Sequence, residues 1–127
     1  DKYNIKDSFH IYSPTTNISQ KYSESSFYVM PSRFEGFGLV LTEAMSCGLP
    51  CISFDCPNGP SDIIKDGEDG FLVQDGNIKS LANKMDCLIE NKELRKQMGI
   101  NAKKNVERYK QEIIMKSWVN LFELFKP

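Results

Sequence analysis

Apolar residues follow two rhythms along this chain: short runs closed off by turn formers, and longer stretches with helical spacing. The segments SFHIYS (8–13), SFYVMP (26–31), PCISFDC (50–56) and FLVQ (71–74) are of the first kind and read as buried strands. NISQKYSES (17–25) opens a helix with Asn17 as its cap. Residues 38–47 are good helix formers, Gly48 ends them in a left-handed conformation, and Pro50 stops any continuation. NGPSDII (58–64) is a turn leading into one helical turn with Pro60 near its start, and DGEDG (66–70) is a tight turn pair.

In the second rhythm, Ile78, Leu81, Ala82, Met85, Leu88 and Ile89 recur at helical spacing. Asn91 interrupts that helix, and another begins near Lys92 with Leu94, Met98 and Ala102 on one stripe. A last helix carries Ile113, Ile114, Trp118, Leu121, Phe122 and Phe125, a wide and heavy stripe. Short strands alternating with helices predict the α/β class, a Rossmann-like parallel sheet flanked by helices. Ligands then bind at the carboxyl ends of the strands. The 127 residues fall within the size of one domain, with no internal repeat, linker or low-complexity tract.

The chemistry concentrates in PSRFEGFGLVLTEAMSCGLP (31–50). If SFYVMP is a strand and a helix starts near Gly38, Glu35 lies on the loop at the strand's carboxyl end. Gly36 and Gly38 let the backbone approach a ligand closely, and the first N–H groups of the helix, with its positive dipole end, suit a diphosphate. Glu43, about five residues into the helix, sits ~7 Å along its axis and leans back toward that end. A carboxylate accepts two hydrogen bonds, which suits the paired hydroxyls of a ribose or a sugar. Two glutamates flanking a phosphate cradle point to a sugar nucleotide. The plainer alternative makes Glu43 a solvated helix-face residue and Glu35 a helix cap.

Charge and composition narrow the partners. Sixteen basic residues nearly balance seventeen acidic ones, for a net charge of −1, which argues against nucleic acid or anionic membrane as an electrostatic partner. The apolar runs fall far short of the ~20 residues that span a bilayer, and no charged-then-apolar leader opens the chain, so it reads as soluble and unprocessed. Cys47, Cys51, Cys56 and Cys87 form no C-x-x-C pair and His10 is remote from them, so reduced, mostly buried thiols are expected, with a cytoplasmic setting.

Taken in order, PS, EGFG, a seven-residue gap from Glu35 to the Glu43 that opens EAM, then GLP, GPSDII and DGEDGFLV resemble the C-terminal domain of retaining GT-B fold glycosyltransferases, the large family-four type (glycosyltransferase group 1). The resemblance runs from about Phe9 onward. It implies that Glu35 is the catalytic carboxylate contacting the donor sugar, that the backbone amides of Gly36, Phe37, Gly38 and Leu39 hold the diphosphate, and that Glu43 binds the ribose. It implies neither metal nor cofactor, the nucleotide-sugar donor being a substrate. Asp62 stands where the family has Glu.

On this resemblance residues 1–127 are a partial C-terminal, nucleotide-sugar-binding domain. The N-terminal domain that carries a saccharide or glycolipid acceptor is absent, as is the Gly-rich strand with the Arg and Lys that neutralise the diphosphate. The parent is expected in the cytoplasm, with peripheral association at the inner face of the membrane, in polysaccharide, lipopolysaccharide or glycolipid biosynthesis. Two missing strands belong between SFHIYS and SFYVMP, leaving an exposed sheet edge. In the family the final helices return to the N-terminal domain, which accounts for the apolar excess in 113–125. Alone, the fragment is expected to be inactive and to self-associate.

Three other readings stay open. A dinucleotide-binding dehydrogenase is compatible with Gly36, Gly38 and a later Asp55, but its fingerprint needs a small residue at Leu41, and Glu35 would stand beside the pyrophosphate. A GT-B fold sugar-nucleotide epimerase would use a similar cleft but needs acid and base groups that the chain does not display. A truncated, non-catalytic module that binds nucleotide or itself is the third. His10 reads as a packed or surface residue, Arg33 as a solvent-exposed arginine, and Trp118 as core.

Overall fold

The computed structural model describes residues 5–126. Its central sheet has three parallel strands, β1 (Tyr28–Met30), β2 (Cys51–Asp55) and β3 (Gly70–Gln74), in that spatial order. Tyr28 lies opposite Cys51, and Cys51 opposite Gly70. The helices are α1 (Ile18–Ser23), α2 (Leu39–Ser46), α3 (Pro60–Ile63), α4 (Ile78–Glu90), α5 (Lys92–Asn105) and α6 (Gln111–Glu123), with a 3-10 turn at Val106–Tyr109.

Parallel strands joined by crossover helices are covered on both faces, so both sets of side chains are apolar. Cys51 and Met30 pack with Leu41, Ala44 and Met45 of α2, Ile63, Ile64 and Ala102 on one face. Ile52, Phe54, Phe71 and Val73 pack with Leu81, Leu88 and Met98 on the other. The α/β expectation is met, as are the strands at SFYVMP, PCISFDC and FLVQ. Asn77 and Asn91 cap α4 and α5 by accepting the Ser80 and Leu94 N–H groups at 3.0 and 2.9 Å, so Asn91 both ends one helix and starts the next. Pro60 opens α3, where a missing N–H costs nothing.

Three local expectations are corrected. Residues 8–13 form no strand: Lys6–Ser8 is a 3-10 turn, and Phe9, Ile11 and Tyr12 are exposed. A strand exists only where a neighbour completes its ladder, and β1, the strand at that side of the sheet, pairs only with β2. Asn17 stands at the start of α1, but its side-chain amide donates to Gln20 Oε1 at 3.0 Å instead of its oxygen capping the helix. Trp118 is half exposed rather than core, because α6 leaves the sheet after the 3-10 turn and buries none of its residues.

Candidate donor-binding site

The loop between β1 and α2 opens at the carboxyl end of the sheet. It closes on Gly38, which precedes α2 with φ of +90°, a left-handed conformation that glycine adopts without strain. A side-chain carbon at Gly38 would meet Leu41, Ile63 and Met30, so the turn rests directly on the core. The Leu41 N–H makes the first bond of the helix, to the Gly38 carbonyl at 2.9 Å. Among the described residues, the N–H groups of Gly36, Phe37, Gly38 and Leu39 donate to no protein acceptor. These are the four amides expected to hold a diphosphate, gathered where the helix dipole is positive.

Glu35 is half-buried on this loop, and Glu43 is the fifth residue of α2. No side chain caps α2, so Glu35 is not held there as a cap. Glu43 is exposed, and its Oε2 accepts the Tyr22 hydroxyl at 3.3 Å. Both carboxylates are felt at Tyr28, whose phenol is pushed up by burial, then by Cys51, Glu35 and Glu43. Both glutamates thus lie within electrostatic reach of Tyr28.

A second layer supports the loop from below. Gly59, with φ of +112°, lies so close to Phe37 that a side-chain carbon would sit 2.0 Å from the Phe37 oxygen. The Phe37 ring stands edge-on to Tyr109, with centroids 5.3 Å apart. The Tyr109 hydroxyl donates to the Asp62 carbonyl at 2.7 Å, as does Arg108 Nη2, which also reaches the Ile63 carbonyl at 2.9 Å. These bonds satisfy carbonyls left open at the end of α3. Asp62 therefore enters the scaffold through its backbone.

Arg108 is itself held by Asn105, whose amide donates to Asp69. Asp69 is fully buried and accepts the Lys65 N–H at 2.8 Å. Burial pushes its carboxyl up, and the donors from Lys65 and Asn105 pull it back. Cys56 is buried at the end of β2, where burial and the charges of Glu35, Asp75 and Asp55 push its thiol up. Arg33 is exposed. Of the other thiols, Cys51 is buried, Cys87 half-buried and Cys47 exposed, and none forms a disulfide.

Tyr22, Gly59 and Tyr109 are the site's supporting residues that sequence reasoning missed. Gly59 carried a signal in its place before Pro60. Tyr22 and Tyr109 carried none, since each acts on a residue far away in the chain.

The sequence and the fold have counterparts. The family model of glycosyl transferases group 1 matches residues 1–105. The amylovoran biosynthesis glycosyltransferase AmsD of Erwinia amylovora is 39% identical over 92% of this chain and 33% of its own length. The poly(ribitol-phosphate) alpha-N-acetylglucosaminyltransferase of Staphylococcus aureus is 37% identical over 85% of this chain and 22% of its own. A crystal structure of a variant of S. aureus TarM in complex with fondaparinux, alpha-GlcNAc-glycerol and UDP superposes with a TM-score of 0.89 and 34% identity, covering 95% of this chain and 25% of that one. The chain spans a third or less of the length of these relatives. With a matching family model over most of its residues and the parallel α/β architecture of GT-B enzymes, the chain belongs to the group 1 glycosyl transferases.

Proposed function

We propose that this chain is the donor-binding part of a retaining, hexosyl-type glycosyltransferase, a portion of its C-terminal domain. The observation that carries this is the row of free amides at Gly36, Phe37, Gly38 and Leu39, with Glu35 before it and Glu43 one turn beyond. The amides and the helix dipole take the diphosphate, Glu43 takes the ribose hydroxyls, and Glu35 faces the sugar. UDP in the similar TarM complex and the alpha linkage in a relative's name support a nucleotide-sugar donor and retention. The amide cradle and the helix dipole contribute positive potential here, and no metal or cofactor is assigned to the site.

In transfer, the bond from the anomeric carbon to the diphosphate oxygen breaks and its electron pair leaves with the diphosphate. An acceptor hydroxyl forms the new bond and its proton passes to the departing phosphate oxygen. The amides stabilise the charge that grows on the diphosphate, and Glu35 the positive charge that grows on the sugar. The acceptor, a saccharide or glycolipid, is assigned to the remainder of the encoded protein, placed in the cytoplasm.

A second reading, self-association of the 127 residues alone, is favoured by the exposed Ile113, Trp118, Leu121 and Phe122 of α6 and by Phe125 just beyond it. Incubating the protein as its gene encodes it with alpha-configured nucleotide sugars and a saccharide panel, and following the anomeric proton by NMR, tests the principal reading. Transfer with an alpha-linked product is expected. A beta-linked product overturns retention, and transfer that survives replacement of residues 35–39 by an unrelated loop overturns the site.

A further inference from the structure

Tyr22 belongs to α1, twenty-one positions from Glu43, and no motif joins them. The residue is 6% exposed, and its ring stands edge-on to Tyr28, with centroids 5.7 Å apart at 86°. That packing leaves the hydroxyl in one place, aimed at Glu43 Oε2 at 3.3 Å. An exposed glutamate on a helix otherwise samples several rotamers.

We propose that Tyr22 is a positioning residue: its O–H holds the Glu43 carboxylate in the orientation that receives the ribose hydroxyls of the donor. This rests on the assignment of Glu43 to the ribose. A carboxylate oxygen has two lone-pair sites, so Oε2 accepts from Tyr22 and keeps a site for the ligand, while Oε1 accepts from none of the described residues. The bond is longer than the usual O–H···O distance, which leaves it room to shorten when ribose draws the carboxylate into place. Burial, then Tyr28 and Glu43, push the phenol up to about 12, so it remains a donor throughout the physiological range.

The decisive comparison is between UDP, ADP or GDP and the matching 2′,3′-dideoxy diphosphate, titrated by calorimetry into the protein as its gene encodes it. The probe is whichever base binds best. The ratio of the two dissociation constants measures what the ribose hydroxyls contribute, and it does not depend on how much of a variant is folded. In Tyr22→Phe, which keeps the ring, the ratio is expected to fall 3- to 10-fold, with the dideoxy compound bound as before. In Glu43→Ala the ratio approaches one. An unchanged ratio in Glu43→Ala, or no binding of any of the three diphosphates, overturns the assignment of Glu43. A collapsed ratio in Glu43→Ala with an intact one in Tyr22→Phe overturns the role of Tyr22 alone. Equal weakening of both ligands in Tyr22→Phe makes Tyr22 merely structural and overturns it too.

Discussion

Gly59 and Phe37 touch through their backbones, with no space for a side-chain carbon between the Gly59 Cα and the Phe37 carbonyl. The loop that leads into α3 therefore packs directly against the loop between β1 and α2.

Gly59→Ala should consequently damage both stability and the site. The positive φ alone costs alanine ~1–2 kcal/mol, and a contact of 2.0 Å to backbone forces a displacement on top of it. A loss of at least about 2 kcal/mol in denaturant unfolding, with weaker nucleotide diphosphate binding by the remaining folded protein, is the expected outcome. Wild-type affinity in Gly59→Ala would separate this contact from the site.

Gly99→Ala decides between two opposing effects. Helix propensity favours alanine by ~1 kcal/mol in the interior of α5, but the new carbon would lie 2.3 Å from the Gly48 carbonyl. The close approach wins because backbone must move, and the melting temperature should fall by several degrees. A rise would show that α5 can slide away from the turn after α2 without loss.

The Tyr22 phenol gives a signed pH dependence. Its folded value of about 12 lies above the ordinary 10.0, so its contribution is complete below pH 10 and is lost as pH rises toward 12. The loss amounts to roughly 2–3 kcal/mol. Unfolding free energies measured from pH 9 to 12 should drop less steeply in Tyr22→Phe. Parallel curves for the two proteins would rule out a strongly shifted Tyr22.

Asn105→Ala removes one donor from the buried Asp69 carboxylate. The charge left short of a partner costs ~1–3 kcal/mol. Burial already raises the Asp69 carboxyl, so its favourable contribution is full below the ordinary 3.8 and is lost as pH rises through the folded value. The deficit of Asn105→Ala should therefore be larger in denaturant unfolding at pH 8 than at pH 4. An equal deficit at both would mean that Asp69 does not carry it.

The chain announces its fold where one residue decides one conformation. Gly48 ends α2 in the left-handed region, Pro60 opens α3, and Asn91 divides α4 from α5. The loop between β1 and α2 is legible for the same reason, since Gly38 and the helix after it are contiguous. What remains hidden depends on partners distant in the chain. SFHIYS has the pattern of a strand without a ladder to join, Trp118 has the pattern of a core residue on a helix that leaves the core, and Tyr22 meets Glu43 only once α1 and α2 are packed.

The central claim is that Glu43 binds the donor while Glu35 acts on the breaking bond, and steady-state transfer by Glu43→Ala and Glu35→Gln in the encoded protein tests it most directly. A charged hydrogen-bond acceptor is worth ~1.5–3 kcal/mol, so Glu43→Ala should raise the donor KM about 10- to 100-fold. Glu35→Gln should lower kcat with little change in KM, because its interaction strengthens only as charge develops on the sugar. Transfer with unaltered kcat and KM in both variants would contradict the account.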